Sequence, residues 1–280
     1  MGSDAVSGGR RARPVIAMLL PLLLAGCGDG GKAATGKLML TGSSTVAPLA
    51  LEIAKRYEAD HPGVRIDVQT GGSSRGITDA RSGVADIGMV SRALKPDESD
   101  LVAHAIAHDG IAVIVHASNP VTGLSADQIR AIYRGQIATW QAVGGPKRPI
   151  TVVNKAEGRS TLELFLQHFG LASTQIHASV VIGDNEQGIK TVAGNPGAIG
   201  YVSVGAAEYA ATHEVAIRLL PLDGIPASTE TVKDGRFPLS RPLNLVTRGQ
   251  PQGLAGDFIA YARSAAVHDR VRSLYFVPLD

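Results

Sequence analysis

Residues 37–48 read Lys37-Leu38-Met39-Leu40-Thr41-Gly42-Ser43-Ser44-Thr45-Val46-Ala47-Pro48. Lys37–Leu40 has the character of a short strand, and 47–59 of a helix whose Leu49, Ile53 and Tyr57 recur every four residues on one face. Between them sits a Gly/Ser/Thr loop that ends at the helix N-terminus. There the first backbone N–H groups lack intrahelical partners, and the helix dipole favours negative charge. The same strand, polar loop and helix recur twice. Val64–Val68 alternates as a half-buried strand and leads through Gly71-Gly72-Ser73-Ser74-Arg75-Gly76 into a helix near 75–82. Ile150–Val153 leads to Gly158-Arg159-Ser160-Thr161 and a helix over 161–169, with Leu162, Phe165, Leu166 and Phe169 facing the core. One such loop is an ordinary N-cap. Three, two of them carrying an arginine, point to a pocket for an oxyanion.

The rest of the chain fits an α/β fold. Strands are expected at Val84–Val90, Ile111–Val115, Ala198–Val202 and Leu243–Val246, and helices at Ser125–Tyr133 (N-cap Ser125) and 253–264. Proline and glycine near 118–123, 144–149, 194–197 and 221–226 mark loops. Within Val84-Ala85-Asp86-Ile87-Gly88-Met89-Val90 the carboxylate of Asp86 is costly to bury unless it is paired. It is either half of an ion pair with Arg75, Arg81 or Arg92, or the acceptor for a proton on the ligand. A carboxylate in the second role separates phosphate, which carries a proton, from sulfate, which does not.

The N-terminus has Arg10, Arg11 and Arg13, an apolar run from Val15 to Leu24, and then Leu24-Ala25-Gly26-Cys27. This order describes an export signal, and its end resembles a bacterial lipobox, with Cys27 as the lipidated residue. Cys27 is the only cysteine. Residues 1–27 are therefore expected to be a lipoprotein signal peptide and 28–36 a flexible tether. The whole chain has 27 Lys+Arg and 25 Asp+Glu; beyond residue 27 there are 24 of each. A near-neutral mature protein gives no basis for nucleic-acid binding, so any anion site must be built locally.

The motifs Thr41-Gly-Ser-Ser-Thr-Val-Ala-Pro48, Gly72-Ser-Ser-Arg-Gly-Ile77, Ala85-Asp-Ile-Gly-Met-Val-Ser-Arg92, Gly158-Arg-Ser-Thr161, Asn195-Pro-Gly-Ala-Ile-Gly-Tyr201 and Ser240-Arg-Pro242, with Asn119-Pro120 and Gly144-Gly145, run in order across nearly all of residues 38–280. Together they resemble the phosphate-binding proteins of Pst-type ABC transporters, which have the type II periplasmic-binding-protein fold. The resemblance implies two α/β lobes joined by two crossing strands, with an interlobe ligand cleft. Lobe one is expected at 37–115 plus 240–280 and lobe two at 116–239, with Ile111–Val115 and Leu243–Val246 crossing between them. It also implies an extracytoplasmic, membrane-anchored monomer in the periplasm or on the cell surface, with no cofactor and no catalysis. Its partners would be inorganic phosphate and the permease and ATPase subunits of an importer. Phosphate would be bound through Thr45 and the Val46 N–H, Ser73 and Asp86. Ser44, Ser74, Arg75, Lys155, Arg159, Ser160 and Thr161 are the further candidates on the same loops. Lys155 stands where the commoner pattern has an arginine, so Arg159 is expected to take the main cationic role. Arg92 is a candidate clamp on Asp86.

Rival readings exist. Gly72-Ser73-Ser74-Arg75-Gly76 fits the G-x-S-x-G elbow of a serine hydrolase, with Ser74 as nucleophile and His268 as base. His104 and His108, spaced by four, offer a metal reading, but the segment around them reads as loop and strand. Sulfate or molybdate binding, or phosphate sensing without import, are further alternatives.

Overall fold

The computed structural model describes Met1, Gly2 and residues 35–280. The signal, Cys27 and most of the tether lie outside the described residues. β1 (Gly36–Gly42), β2 (Val64–Thr70) and β3 (Ile87–Val90) form a parallel group in the order β2-β1-β3. They are linked by α1 (Ala47–Asp60) and α2 (Ser73–Ser82). Pro48 in the first turn starts α1 without loss of a needed N–H, and Gly83, left-handed at φ 76°, ends α2. Leu49, Ile53 and Tyr57 are all buried, as their spacing demands.

β4 (Val102–His116) is a single strand of 15 residues. Its first part pairs antiparallel with β9 (Ser240–Thr247) and its last part with β7 (Ala198–Ser203). β7, β5 (Thr151–Lys155) and β6 (Val180–Ile182) form a second parallel group, and β8 (Ile217–Leu219) pairs with the end of β4. Among the described residues the helices that complete this part are α3 (Ala126–Tyr133), α4 (Ser160–Phe169), α5 (Asn185–Ala193), α6 (Val204–Thr212) and α7 (Thr229–Lys233). Ser125 caps α3 reciprocally with Gln128, and Asp184 caps α5. α8 (Gly253–Ala262) and α9 (His268–Ser273) return to the first part.

Two large cores follow from this connectivity, and Ile77, Val90, Leu101 and Val246 form a small third cluster. Leu40, Leu49, Ile53, Ile87, Ala107, Leu243, Leu245 and Phe258 belong to one. Ile111–Val115, Trp140, Phe165, Phe169, Ile199, Tyr201 and Leu239 belong to the other. The chain passes between them within β4 and at the start of β9. Ile111–Val115, expected in the first lobe, is packed in the second core; the passage comes between Ala107 and Ile111. One further expectation shifts: the strand at Val84–Val90 begins only at Ile87, because the Val84 and Ala85 amides turn back to the Asp79 carbonyl. His104 and His108 lie on β4, in line with the loop-and-strand reading of that segment, and the His104 ring pairs with Thr247 Oγ1 at 3.1 Å.

The second core is built on aromatic rings. Trp140 is fully buried and its Nε1–H donates to the Gly197 carbonyl at 2.9 Å. Phe165 stacks on Tyr201 with centroids 3.9 Å apart. Rings of this size, each worth about 1.5–3 kcal/mol on burial, hold α4 against β7 and so fix the start of α4. Tyr201 also donates its hydroxyl to Asn154 Oδ1 at 2.6 Å and accepts from the Lys155 amide at 3.3 Å. The core thus reaches directly under the end of β5.

Candidate functional site

In an open parallel sheet, loops that leave the carboxyl ends of the strands collect on one edge. Here both parallel groups turn that edge toward the same space. β1 delivers Ser43 and Thr45, the loop after β2 delivers Ser73, and β3 delivers Ser91. β5 delivers Lys155, then Ser160 and Thr161 at the start of α4; the loop after β6 delivers Asn185, and β7 delivers Ser203. All of these are buried.

At the centre lies Arg241 of β9. It forms an ion pair with Asp109 of β4 in which each side chain is 1% exposed. Nε and Nη2 donate to Asp109 Oδ2 at 3.2 and 2.8 Å. Nη1 donates to Thr161 Oγ1 at 3.0 Å and Ser91 Oγ at 3.4 Å, and Nη2 to Thr45 Oγ1 at 3.4 Å. Asp109 Oδ1 accepts from Ser203 Oγ at 2.9 Å and the Gly205 amide at 3.2 Å, so both its oxygens are in use. One guanidinium, locked from behind, therefore reaches hydroxyls from both halves of the fold.

The second cation is Lys155. Its Nζ donates to Asn185 Oδ1 at 3.0 Å, and the Asn185 amide group donates to Thr45 Oγ1 at 3.2 Å. Burial, with the positive charge of Arg241 next in weight, lowers the Lys155 ammonium to about 7. Ser160 Oγ is buried with no hydrogen-bond partner among the described residues, which marks a donor aimed at something other than protein. Ser43 Oγ donates to Ser91 Oγ at 3.0 Å and accepts from the Thr45 and Val46 amides at 3.2 and 3.3 Å. Ser73 Oγ accepts from the Ser91 amide at 3.2 Å.

The two halves also touch outside this cluster. The Ser74 amide donates to the Gly158 carbonyl at 3.2 Å. Gly72, at φ 96°, lies so close to that segment that a Cβ would meet the Gly158 oxygen at 2.6 Å. Glu163 of α4 accepts from Arg92 Nε at 3.0 Å, pairs with Lys95 Nζ at 2.8 Å, and takes the Ser74 hydroxyl at 3.3 Å. Arg92 is held in turn by Glu98 through two 2.7 Å bonds.

Of the residues expected at the site, Thr45, Ser73, Lys155, Ser160 and Thr161 come together. Val46 is adjacent, with its N–H on Ser43. Ser44 lines a neighbouring cavity of about 560 Å³ together with Thr45, Asn185, Leu51 and Tyr209. Arg159 lies at the seam: its Nε is buried without a partner among the described residues, and its side chain runs beside Gly72 and Gly183. The buried central cation is Arg241, not Arg159. Ser74 is at the seam on Glu163.

Three expectations fail. Asp86 is exposed and its Oδ2 accepts from the Met39 amide at 2.7 Å. Met39 is three residues before the end of β1, so Asp86 sits roughly 10 Å short of the loop edge at strand rise. Arg75 turns outward to Asp79 at 3.0 Å. Arg92 clamps Glu98 and Glu163, not Asp86. The hydrolase pair does not form either, since Ser74 donates to Glu163 while His268 lines a different cavity with His108, Lys233 and Arg272.

Arg241 and Asp109 are not among the residues expected from the sequence, although a signal exists: Asp109 is the one Asp or Glu in β4 and Arg241 the one Lys or Arg in β9, and opposite charges buried in a sheet must be paired. Asp86 escapes the same requirement because it precedes β3 and is exposed.

A PBP superfamily domain matches residues 28–266. Phosphate-binding protein PstS of Bacillus subtilis (strain 168) is 28% identical over 267 residues, covering 89% of this chain and 87% of the relative. A substrate-binding protein from Clostridium perfringens, crystallised with bound phosphate, shares 31% identity at TM-score 0.80, over 88% of this chain and all 100% of that one. An ABC-type phosphate transport receptor from Vibrio cholerae shares 27% identity at TM-score 0.71, over 86% of this chain and 100% of that one. With two cores joined through β4 and β9 and a polar cleft between them, the chain belongs to the PBP superfamily and is a PstS-like member of it.

Proposed function

We propose that this protein binds inorganic phosphate outside the cytoplasm and hands it to the permease and ATPase subunits of an ABC importer. The observation that carries this reading is Arg241, fixed by Asp109 and surrounded by hydroxyls of Thr45, Ser91 and Thr161 drawn from both halves of the fold. A tetrahedral anion inserted there meets a bidentate guanidinium, the Lys155 side chain, several hydroxyls and helix N-termini. It gains donors from each half only when the two are together. Ligand affinity is then differential for the closed state, which is what drives closure.

Phosphate would be held by Arg241, Thr45, Ser73, Ser91, Lys155, Ser160 and Thr161. The protein would act as a monomer tethered through lipidated Cys27. Among the described residues no helix is long and apolar enough to cross a membrane. Binding without turnover is expected, because Ser74 donates to Glu163, a carboxylate held by Arg92 and Lys95, and not to a histidine.

The test is calorimetric titration of the purified mature protein with phosphate, with mass spectrometry of gently purified material to identify any anion that accompanies it. Saturable stoichiometric binding is expected. Failure to bind phosphate, with tight binding of a different oxyanion, would overturn the assignment. Ester hydrolysis abolished by Ser74→Ala would restore the hydrolase reading.

A further inference from the structure

The proton on phosphate needs an acceptor, and the site's carboxylates are already engaged. Asp109 uses both oxygens on Arg241, Ser203 and Gly205. Glu163 is taken by Arg92, Lys95 and Ser74, and Glu98 by Arg92 and the Lys95 amide. Asp184 caps α5 through Oδ1, and Asp86 is outside. Among the described residues, no carboxylate hydrogen-bonds with Thr45, Ser73, Ser91, Ser160 or Thr161.

Lys155 is the remaining strong candidate. It is 3% exposed, and among the described residues its Nζ has one hydrogen bond, to Asn185 Oδ1 at 3.0 Å, and no carboxylate within ion-pair distance. The charged and titratable groups around it come from every neighbouring element: Arg241 from β9, Arg159 before α4, Asp184 before α5 and Tyr201 from β7. Two of these are cations, and only Asp184 opposes them. Removed from water and beside two guanidinium groups, the amine loses its proton easily.

We propose that the Lys155 amine accepts the hydrogen bond from the proton that phosphate carries, and that Lys155 is thereby the residue that separates phosphate from fully ionised tetrahedral anions such as sulfate. This rests on the phosphate-binding reading. The proton is shared between a phosphate oxygen and Nζ, and no further proton is needed to complete the complex. Sulfate brings none. It faces a lone pair unless Nζ first takes a proton from solvent, so its binding must be coupled to proton uptake. An ammonium that suits sulfate leaves the phosphate proton facing a donor. The two anions therefore prefer opposite states of one side chain, and their affinity ratio must move with pH.

Well above neutrality, from about pH 8.5, free phosphate is the singly protonated dianion and sulfate is unchanged, so the comparison is free of ligand titration. The wild-type protein would be titrated calorimetrically with both anions at about pH 8.5 and about pH 9.5, in buffers of differing ionisation enthalpy. The preference for phosphate is expected to widen by up to about tenfold per pH unit. Sulfate binding should take up about one proton at the higher pH, and phosphate binding close to none. In Lys155→Arg, where the cation is permanent, the preference should no longer vary with pH, and sulfate should lose its proton uptake. If that variant does not fold, the proton counts of the wild-type protein decide alone. A preference that stays flat with pH, or equal proton uptake for both anions, would overturn the proposal while leaving phosphate binding intact. Absence of saturable phosphate binding at both pH values would instead remove the reading beneath it.

Discussion

Replacing Arg241 by lysine isolates what its geometry contributes, because the charge beside Asp109 is kept. The guanidinium spends Nε and Nη2 on Asp109 Oδ2 at 3.2 and 2.8 Å and still directs Nη1 and Nη2 toward Thr161, Ser91 and Thr45. A lysine has one nitrogen. If it stays on Asp109 it cannot also present two parallel donors to an anion. At least one charge-assisted bond is lost, worth about 1.5–3 kcal/mol, which corresponds to a Kd raised about 10- to 150-fold. The fold should survive, since Asp109 keeps a counter-charge. Arg241→Ala is the contrast: it leaves a carboxylate that is 1% exposed with no cation, at a cost in stability of about 3–5 kcal/mol. Calorimetric titration with phosphate, beside denaturant unfolding of both variants, reads the two effects separately. A Kd for Arg241→Lys within about threefold of wild type, with the fold intact, would show that Arg241 is only a structural brace.

Asp86→Asn should leave phosphate affinity and the preference over sulfate unchanged, and cost at most about 0.5–1.5 kcal/mol through the Met39 amide, as thermal unfolding would show. Glu163→Gln removes the charge that joins Arg92 and Lys95 across the seam. Phosphate should then leave faster in stopped-flow displacement, with affinity reduced by about 1–2 kcal/mol, between the values of exposed and fully buried pairs. Lys155, lowered to about 7 by burial and by Arg241, titrates near 10.4 in an unfolded chain. Between those values the unfolded state holds a proton that the folded state lacks. The anion-free protein should therefore gain stability from about pH 7 toward about pH 10, by up to about 1.4 kcal/mol per unit. Urea unfolding should show that slope, and Lys155→Met should flatten it. Cys27→Ser should release the protein from membranes in fractionation without altering phosphate affinity, as expected if the acyl chains supply the attachment.

Local chemistry was legible in the chain wherever it depended on neighbours in sequence. The strand, loop and helix around Gly42–Pro48, the Ser125 cap, the apolar faces of α1 and α4 and the hydroxyl-rich loops at three helix N-termini all follow from spacing and residue type, whereas it is the family resemblance that singles out Thr45 and Ser73 within those loops. α5 and α6 escaped because Gly188 interrupts one and small residues blur the periodicity of the other. What the tertiary structure decided was which charges meet. Asp109 and Arg241 are 132 residues apart, and nothing local distinguishes their claim to the site from that of Asp86 or Arg75. The difference is set by strand register: Asp109 stands opposite Arg241 in the β4–β9 ladder, whereas Asp86 falls beside Met39, before β3 begins. A shift along a strand of a few residues, at about 3.3 Å each, moves a carboxylate from the cleft to the solvent. Register depends on pairing between distant segments, and pairing of that kind is settled only when the chain folds.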